Sequence, residues 1–377
     1  MAYIPPHKRH SMDSERPTPA SLIPRFNRNV QFRASSGRPV YSNYATSRWF
    51  AVGLDDGKGE ASAAHLMPVS VPVESFEWRT GKKPLILVKN NLYQNKAKEC
   101  PCSSIAENVL PDILSSFEMS SAEIESSDFK DVKRTVVARI GKMLFQGSPS
   151  VNLSGSKDYL RESTLSKLKR TFYTVLPDTY TANIIAEVAM KIGFDFAGVK
   201  DSYQVKLSDS TKPDSIIFCK CRVNDGKNLQ LYKIELHPVR DMVVDISCID
   251  MDLDIRLAMT HKRIITYMTE DEMQSIQNLI DSAVLDPDVK GGLRWPSTKE
   301  SGNRYNVVAV WHAKATFYEN ASIRLRVSDS NEVVLKLKGI LLRLLEQDVE
   351  TNVIFDMLKD NLSFIWQHFL SCEPFLA

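Results

Sequence analysis

Between residues 203 and 337 apolar side chains keep returning at every second position, and no other feature constrains the fold as much. An extended strand sends successive side chains to opposite faces, so this period predicts strands with one face buried. Strands are expected at 203–207, 215–223, 229–237, 242–257 with a break, and 305–318. In the last, Tyr305, Val307, Ala309, Trp311, Ala313, Ala315 and Phe317 should share one face. Residues 323–337 read as a hairpin turning at 328–331. Upstream, 49–54 reads as a strand, 68–79 as a proline-interrupted edge strand, and 85–88 as a run buried on both faces. The β-branched content of 132–145, with Gly141, favours strand there.

Helical spacing is confined to a few places. A helix over 105–119 should break or restart at Pro111, because proline is tolerated only in a first turn. Helices are expected at 157–173 and 181–192. Thr269 and Glu272 form a capping box that Met268 and Met273 can staple, and Ile276, Leu279, Ile280 and Ala283 form the apolar stripe behind it. Val353, Ile354, Met357, Leu358, Leu362, Ile365, Trp366 and Phe369 predict an amphipathic C-terminal helix. Strands in blocks with helices at their ends imply an α+β fold, a mostly antiparallel sheet with flanking helices.

Three units are expected along the 377 residues: an arm at 1–47, a smaller α+β module at 48–150 and a larger one at 151–377. Their internal boundary is the Gly/Ser/Pro-rich stretch 147–156. The arm holds Pro5, Pro6, Pro17, Pro19, Pro24 and Pro39 without apolar periodicity, which predicts disorder. Eight Lys and Arg in residues 1–48 face only Asp13 and Glu15, so the arm is basic and the remainder slightly acidic under a net charge of +2. No apolar run is long enough to span a bilayer, which predicts a soluble chain with no membrane contact. Six cysteines in so long a chain, without a hydrophobic leader, suit a reducing compartment, cytoplasmic or nuclear. The Arg- and Ser-rich arm also allows an organellar transit peptide, against which stand Asp13, Glu15 and the early Pro-Pro.

Within the arm, Tyr3-Ile4-Pro5-Pro6-His7-Lys8-Arg9 combines a polyproline II core with an aromatic and two cations, the form of a docking element for a protein partner. It resembles the YIPPHLR segment of DEAD-box translation helicases, which implies association with the cap-binding initiation factor. Lys8 stands where that segment has leucine, and no helicase core follows. Further segments resemble a family of uncharacterised plant proteins that begins with a stretch like residues 1–9. They are Asp252-Leu253-Asp254-Ile255-Arg256-Leu257, Lys262-Arg263-Ile264, the run from Asp281 to Asp286, Val289-Lys290-Gly291-Gly292-Leu293-Arg294-Trp295-Pro296 and Val310-Trp311-His312. That resemblance implies a plant source and no activity.

The chemistry-bearing residues are few. Cys100 and Cys102, with Cys219 and Cys221, make two C-x-C pairs that could close a zinc tetrahedron, although Cys219 and Cys221 alternate with Ile217 and Val223 like small buried hydrophobes. Asp250, Asp252 and Asp254 begin like a calcium loop, but Ile255 stands at the glycine position and His261 at the closing glutamate position. An amphipathic strand is expected instead, with Met251, Leu253 and Ile255 in the core and the carboxylates outside. There is no complete nucleophile, zincin or nucleotide-loop motif, and His237 beside Glu235 reads as a solvated pair. Gly291-Gly292 between Lys290 and Arg294 could cradle a phosphate, or simply turn the chain.

In the hairpin, Arg324 and Arg326 alternate with Ile323, Leu325 and Val327, and Lys336 and Lys338 alternate with Val333, Leu335 and Leu337. Four cations then share one face and repel across the strand pair, so an anion should face them. That anion is either the acidic run Asp250, Asp252 and Asp254 or an external phosphate backbone. These residues, with Lys290 and Arg294, are the nucleic-acid or phosphate candidates. The expected function is a non-enzymatic binding or adaptor protein linked to RNA or translation, needing no cofactor or metal. The alternative is a phosphate-handling hydrolase gathering Lys233, Glu235, His237, Arg324, Arg326, Lys336 and Lys338 in one concavity.

Overall fold

The structure, a computed structural model, describes residues 39–54, 64–70, 73, 83–89, 101–125, 131–146, 162–224, 228–266, 268–295, 304–346 and 350–372. In chain order the elements are β1 (Val40–Val52), β2 (Ala64–Pro68), β3 (Leu85–Lys89), α1 (Cys102–Glu125), β4 (Val132–Gln146), α2 (Glu162–Leu165) and β5 (Lys169–Tyr173). There follow α3 (Asp178–Asn183), which continues through a π-helical turn at Ile184–Val188 to Ala189–Lys191, then β6 (Asp195–Asp209), β7 (Lys212–Val223), β8 (Leu229–Leu236), β9 (Val239–Cys248) and β10 (Asp254–Arg263). The chain continues with α4 (Glu270–Asp281), β11 (Val284–Leu285), β12 (Leu293–Arg294), β13 (Tyr305–Glu319), β14 (Ile323–Ser328), β15 (Val333–Leu337), α5 (Lys338–Leu345) and α6 (Thr351–Phe369).

One 13-stranded sheet organises the chain, in the order β1-β9-β10-β4-β15-β14-β13-β6-β7-β8 with β2, β3 and β5 joined at β3 and β4. It is mixed. β1 runs parallel to β9, and the other paired strands are antiparallel. The order also closes on itself, because Glu235 at the end of β8 bridges Ile264 just past β10 and the Ile265 amide donates to the Ile234 carbonyl. Eight strands, β10-β4-β15-β14-β13-β6-β7-β8, therefore form a ring.

The outer face of the ring is apolar. Val136, Ala138 and Ile140 of β4, Ile255, Leu257 and Met259 of β10, and Ile323, Leu325 and Leu335 of the hairpin pack under α1, α5 and α6. On the far side Val205, Leu207, Ile217, Cys219, Cys221 and Ile234 pack under Ile276 and Ile280 of α4. Burial of these two surfaces holds the helices on the outside. The capping box of α4 is present, with the Thr269 hydroxyl accepting from the Glu272 amide and the Glu272 carboxylate from the Thr269 amide.

Several expectations need correction. The arm does not extend to residue 47: β1 begins at Val40, where hydrogen bonding to β9 overrides the weak local pattern. Pro111 lies inside α1 without breaking it; both Pro111 and Glu107, whose carbonyl loses its amide partner, are exposed, so solvent satisfies the free acceptor. Of the helix expected at 157–173, residues 169–173 are instead β5, paired along β4. Residues 48–150 and 151–377 do not separate into two cores, since β4 pairs with both β10 and β15. The face expected from Tyr305 to Phe317 is split by a register shift between Val307 and Ala309. Tyr305 and Val307 lie on the α4 side, and the residues from Ala309 onward turn to the other face.

A candidate anion-binding tunnel

With the apolar residues of each ring strand turned outward, strand alternation sends their neighbours into the ring. On β14 these are Arg324 and Arg326, on β15 Lys336 and on β4 Lys133 and Arg139, joined through the pairs Arg324↔Lys336, Lys336↔Val137 and Arg139↔Val334. β10 adds Lys262, opposite Lys133. β7 and β8 add Lys220 and Lys233, which pair with each other. β6 adds Lys200 and Lys206, opposite Ala315 and Ala309. β13 turns no cation inward; apart from Glu319 opposite Arg324 its inward residues are small or aromatic, with Trp311 stacked on Phe218 of β7 at 6.2 Å between ring centroids.

These side chains feel one another's charge. Burial lowers the Lys133 pKa, and the positive charges of Lys233, Lys262 and Arg324 lower it further. Lys336 is lowered by burial and then by Lys133, Arg324 and Lys262, and Lys200 by burial and then by Arg324 and Arg222. Burial brings Arg139 down to about 10. These residues come from seven different strands, β4, β6, β7, β8, β10, β14 and β15, and meet in a shared interior.

Glu235 is the carboxylate deepest in this interior, at 4% exposure. Lys233 lies 2.6 Å from it, Lys262 2.9 Å and Lys220 3.3 Å. Burial alone would raise its pKa, but the Lys233 hydrogen bond and the charges of Lys220 and Lys262 hold it at about 2. Toward the edges, Glu332 takes Arg326 at 3.1 Å and Arg139 at 3.9 Å, and Glu319 takes Lys338 at 3.3 Å and Arg324 at 3.9 Å. The Nε atoms of Arg324 and Arg326 are nonetheless buried donors without an acceptor. Such donors are costly unless something satisfies them.

The sequence candidates divide accordingly. Arg324, Arg326 and Lys336 face the ring interior, together with Lys233 and Glu235. Lys338 opens α5 and reaches Glu319. The acidic run does not face them: Asp250 pairs with Lys89 at 2.6 Å, Asp252 accepts the Cys372 amide, and Asp254 pairs with Lys142 at 3.5 Å. Nor does Asp254 point to solvent, being 2% exposed and accepting the Met143 and Cys248 amides. The Met143 and Cys248 amides that hold Asp254 come from other strands and leave no signal that sequence periodicity could read.

Lys290 and Arg294 lie apart from the tunnel, in a turn on its outer side. Gly291 and Gly292 have φ of 94° and 78° and press against Val310 and Tyr203, while Arg294 pairs with Asp286. His237 is not a solvated partner of Glu235; its ring packs edge-on to Phe218, its Nδ1 lies 2.9 Å from the Pro238 carbonyl, and burial lowers its pKa. Cys219 and Cys221 are buried in the α4 core, and burial pushes the Cys221 thiol up to about 12. Cys102 sits in the other core and is disulfide-bonded. Among the described residues no three His, Cys, Asp or Glu side chains gather as metal ligands. Residues 3–9 and Cys100 lie outside the described residues. Missing from the sequence reading were Lys133, Arg139, Lys200, Lys206, Lys220 and Lys262, because a lone cation on a strand has the same pattern whether it faces water or a ring interior.

Fold and site define a closed β-ring with a basic interior, clad in helices. The chain belongs to the family described as Domain of unknown function (DUF7903), which matches residues 33–369. No match to a curated protein is found. Among solved structures it is similar to the Schizosaccharomyces pombe RNA triphosphatase Pct1, at 12% identity over 75% of this chain and 98% of that one, with a TM-score of 0.42. The same enzyme in complex with the Spt5 CTD gives 12% identity over 74% and 96%, with a TM-score of 0.40. The PH1819 protein of Pyrococcus horikoshii OT3 gives 7% over 64% and 94%, with a TM-score of 0.25. Among the described residues no helix is long and apolar enough to cross a membrane.

Proposed function

We propose that this chain binds the oligophosphate part of its ligand inside the ring, as a binding protein rather than a hydrolase. The observation that carries this reading is the imbalance of the interior, where lysines and arginines from seven strands surround one deeply buried carboxylate. Like charges held so close repel, and the buried Nε donors of Arg324 and Arg326 lack acceptors, although Arg326 donates through its terminal nitrogen to Glu332. A compact polyanion relieves both at once. An eight-stranded ring is only about wide enough for one small ligand, so a phosphate chain or a terminal phosphate group fits it and a nucleic-acid duplex does not. Binding is favoured over turnover because hydrolysis needs a free base near the phosphate, whereas Glu235 is committed to three ammonium groups.

Calorimetric titration with inorganic tripolyphosphate, a nucleoside triphosphate, a 5′-triphosphorylated RNA oligonucleotide and blunt duplex RNA tests this. The first three are expected to bind competitively, with an affinity that falls as salt rises, and the duplex to bind weakly or not at all. Arg326→Gln should weaken all three. Duplex binding that survives Arg326→Gln, with no response to tripolyphosphate, would sink the proposal.

A further inference from the structure

The cations of the tunnel fall into two adjoining sets. Lys220, Lys233 and Lys262 are gathered on Glu235 within 3.3 Å. Lys133 and Lys336 lie next to them without a carboxylate in ion-pair reach among the described residues, and burial together with the neighbouring charge of Arg324 lowers the affinity of Lys133, Lys336 and Lys200 for protons. The two sets meet where Lys133 pairs in register with Lys262. One set has a resident counter-charge from within the fold, one carboxylate shared by three ammonium groups. The other has only the edge carboxylates Glu319 and Glu332 for its arginines.

We propose, resting on the oligophosphate reading above, that Glu235 sets the length of phosphate chain the tunnel accepts. As a resident anion it occupies the ammonium groups that further phosphates would need, and confines the ligand to the positions between Lys133, Lys200, Arg324 and Lys336. A short chain meets those cations without displacing anything. A longer chain must push its charge against a carboxylate that three lysines hold ionised down to about pH 2, and like-charge contact in a partly desolvated interior is strongly unfavourable. Glu235 is thus a specificity residue, and its removal should change which ligand is preferred rather than merely how strongly any ligand binds.

The test titrates inorganic pyrophosphate, tripolyphosphate and tetrapolyphosphate into the full chain and into Glu235→Gln at one ionic strength. The wild type should favour the shorter chains. In Glu235→Gln the affinity for tetrapolyphosphate should rise by about tenfold or more relative to that for pyrophosphate, since the three freed ammonium groups pair with added phosphates. Because Glu235→Gln leaves those groups uncompensated and could weaken the fold, the double variant Glu235→Gln/Lys262→Gln is measured alongside, and it should lie between the two in chain-length preference. An equal rise for every chain length would overturn the proposal while leaving the oligophosphate reading intact, as would an unchanged preference in both variants. A wild type that binds none of the three chains would overturn both.

Discussion

The two halves of β4 place positive charge in opposite ways. Its first half sends Lys133 and Arg139 into the ring, where cations outnumber carboxylates, and its second half buries Lys142 against Asp254. Lys142 and Asp254 are matched one to one, and the carboxylate is further held by the Met143 and Cys248 amides at 2.7 and 2.9 Å. The turning point is Gly141, where a Cβ would stand 2.1 Å from the Tyr173 carbonyl oxygen. Beyond it β4 leaves the barrel partners and pairs with β5. The same strand therefore carries a compensated pair that serves the fold and an uncompensated cluster that burdens it. On the oligophosphate reading, this unbalanced charge is what a ligand offsets.

Mutation should separate the halves by sign. Asp254→Ala strands Lys142 and two amides and should cost about 3–5 kcal/mol, read as a large drop in melting temperature. A loss under about 1 kcal/mol would mean that the pair is not matched as described. Glu235 gives the next largest effect. Its carboxyl is depressed from 4.5 to about 2 in the fold, so its contribution is fully present above pH 4.5 and is lost as pH falls toward 2. It amounts to about 3 kcal/mol. Denaturation of wild type and Glu235→Gln as a function of pH should show a stability gap that closes across that window; a gap independent of pH would refute the assignment.

Lys336→Gln should act in the other direction. Removing one member of the uncompensated set is expected to leave melting unchanged or raise it by about 1 kcal/mol equivalent, while weakening tripolyphosphate binding about tenfold. Loss of stability with intact binding would move the hairpin cations from ligand to scaffold. The smallest effect is expected at the surface pair of Lys191 and Glu187, 2.7 Å apart but 71% and 59% exposed. Glu187→Gln should change the melting point hardly at all, which calibrates the other three.

What the sequence disclosed follows the range of the interactions involved. The capping box of α4, the hairpin turn at Asn331 with φ of 58° and the apolar stripe of α6 are encoded within a few residues, and all were legible. The alternation in β14 and β15 showed that Arg324, Arg326 and Lys336 share a face, but whether that face looks outward depends on strands far away in the chain. Closure through Glu235 and Ile264 has no local signature. Asp254 was expected in solvent because strand alternation opposes it to Leu253 and Ile255; two backbone amides and Lys142, recruited from β4 and β9, make its burial tolerable. The bulge before Ala309 was invisible for a related reason, since one extra residue reverses the faces without changing the composition.

Ring closure also dictates an order of assembly. Val137 pairs with Lys336, more than half the chain's length away, whereas β9 meets β10 across a short turn. Contacts of such long range form slowly, because the intervening chain must lose its freedom before the pairing rewards it. During synthesis β4 emerges early and keeps an open hydrogen-bonding edge until β15 has been made, so the tunnel is among the last parts to exist. A chain stopped before Val333 would lose more than a fraction of its affinity. It would present two unpaired strand edges and the apolar backs of β4 and β10, the surfaces from which aggregation starts.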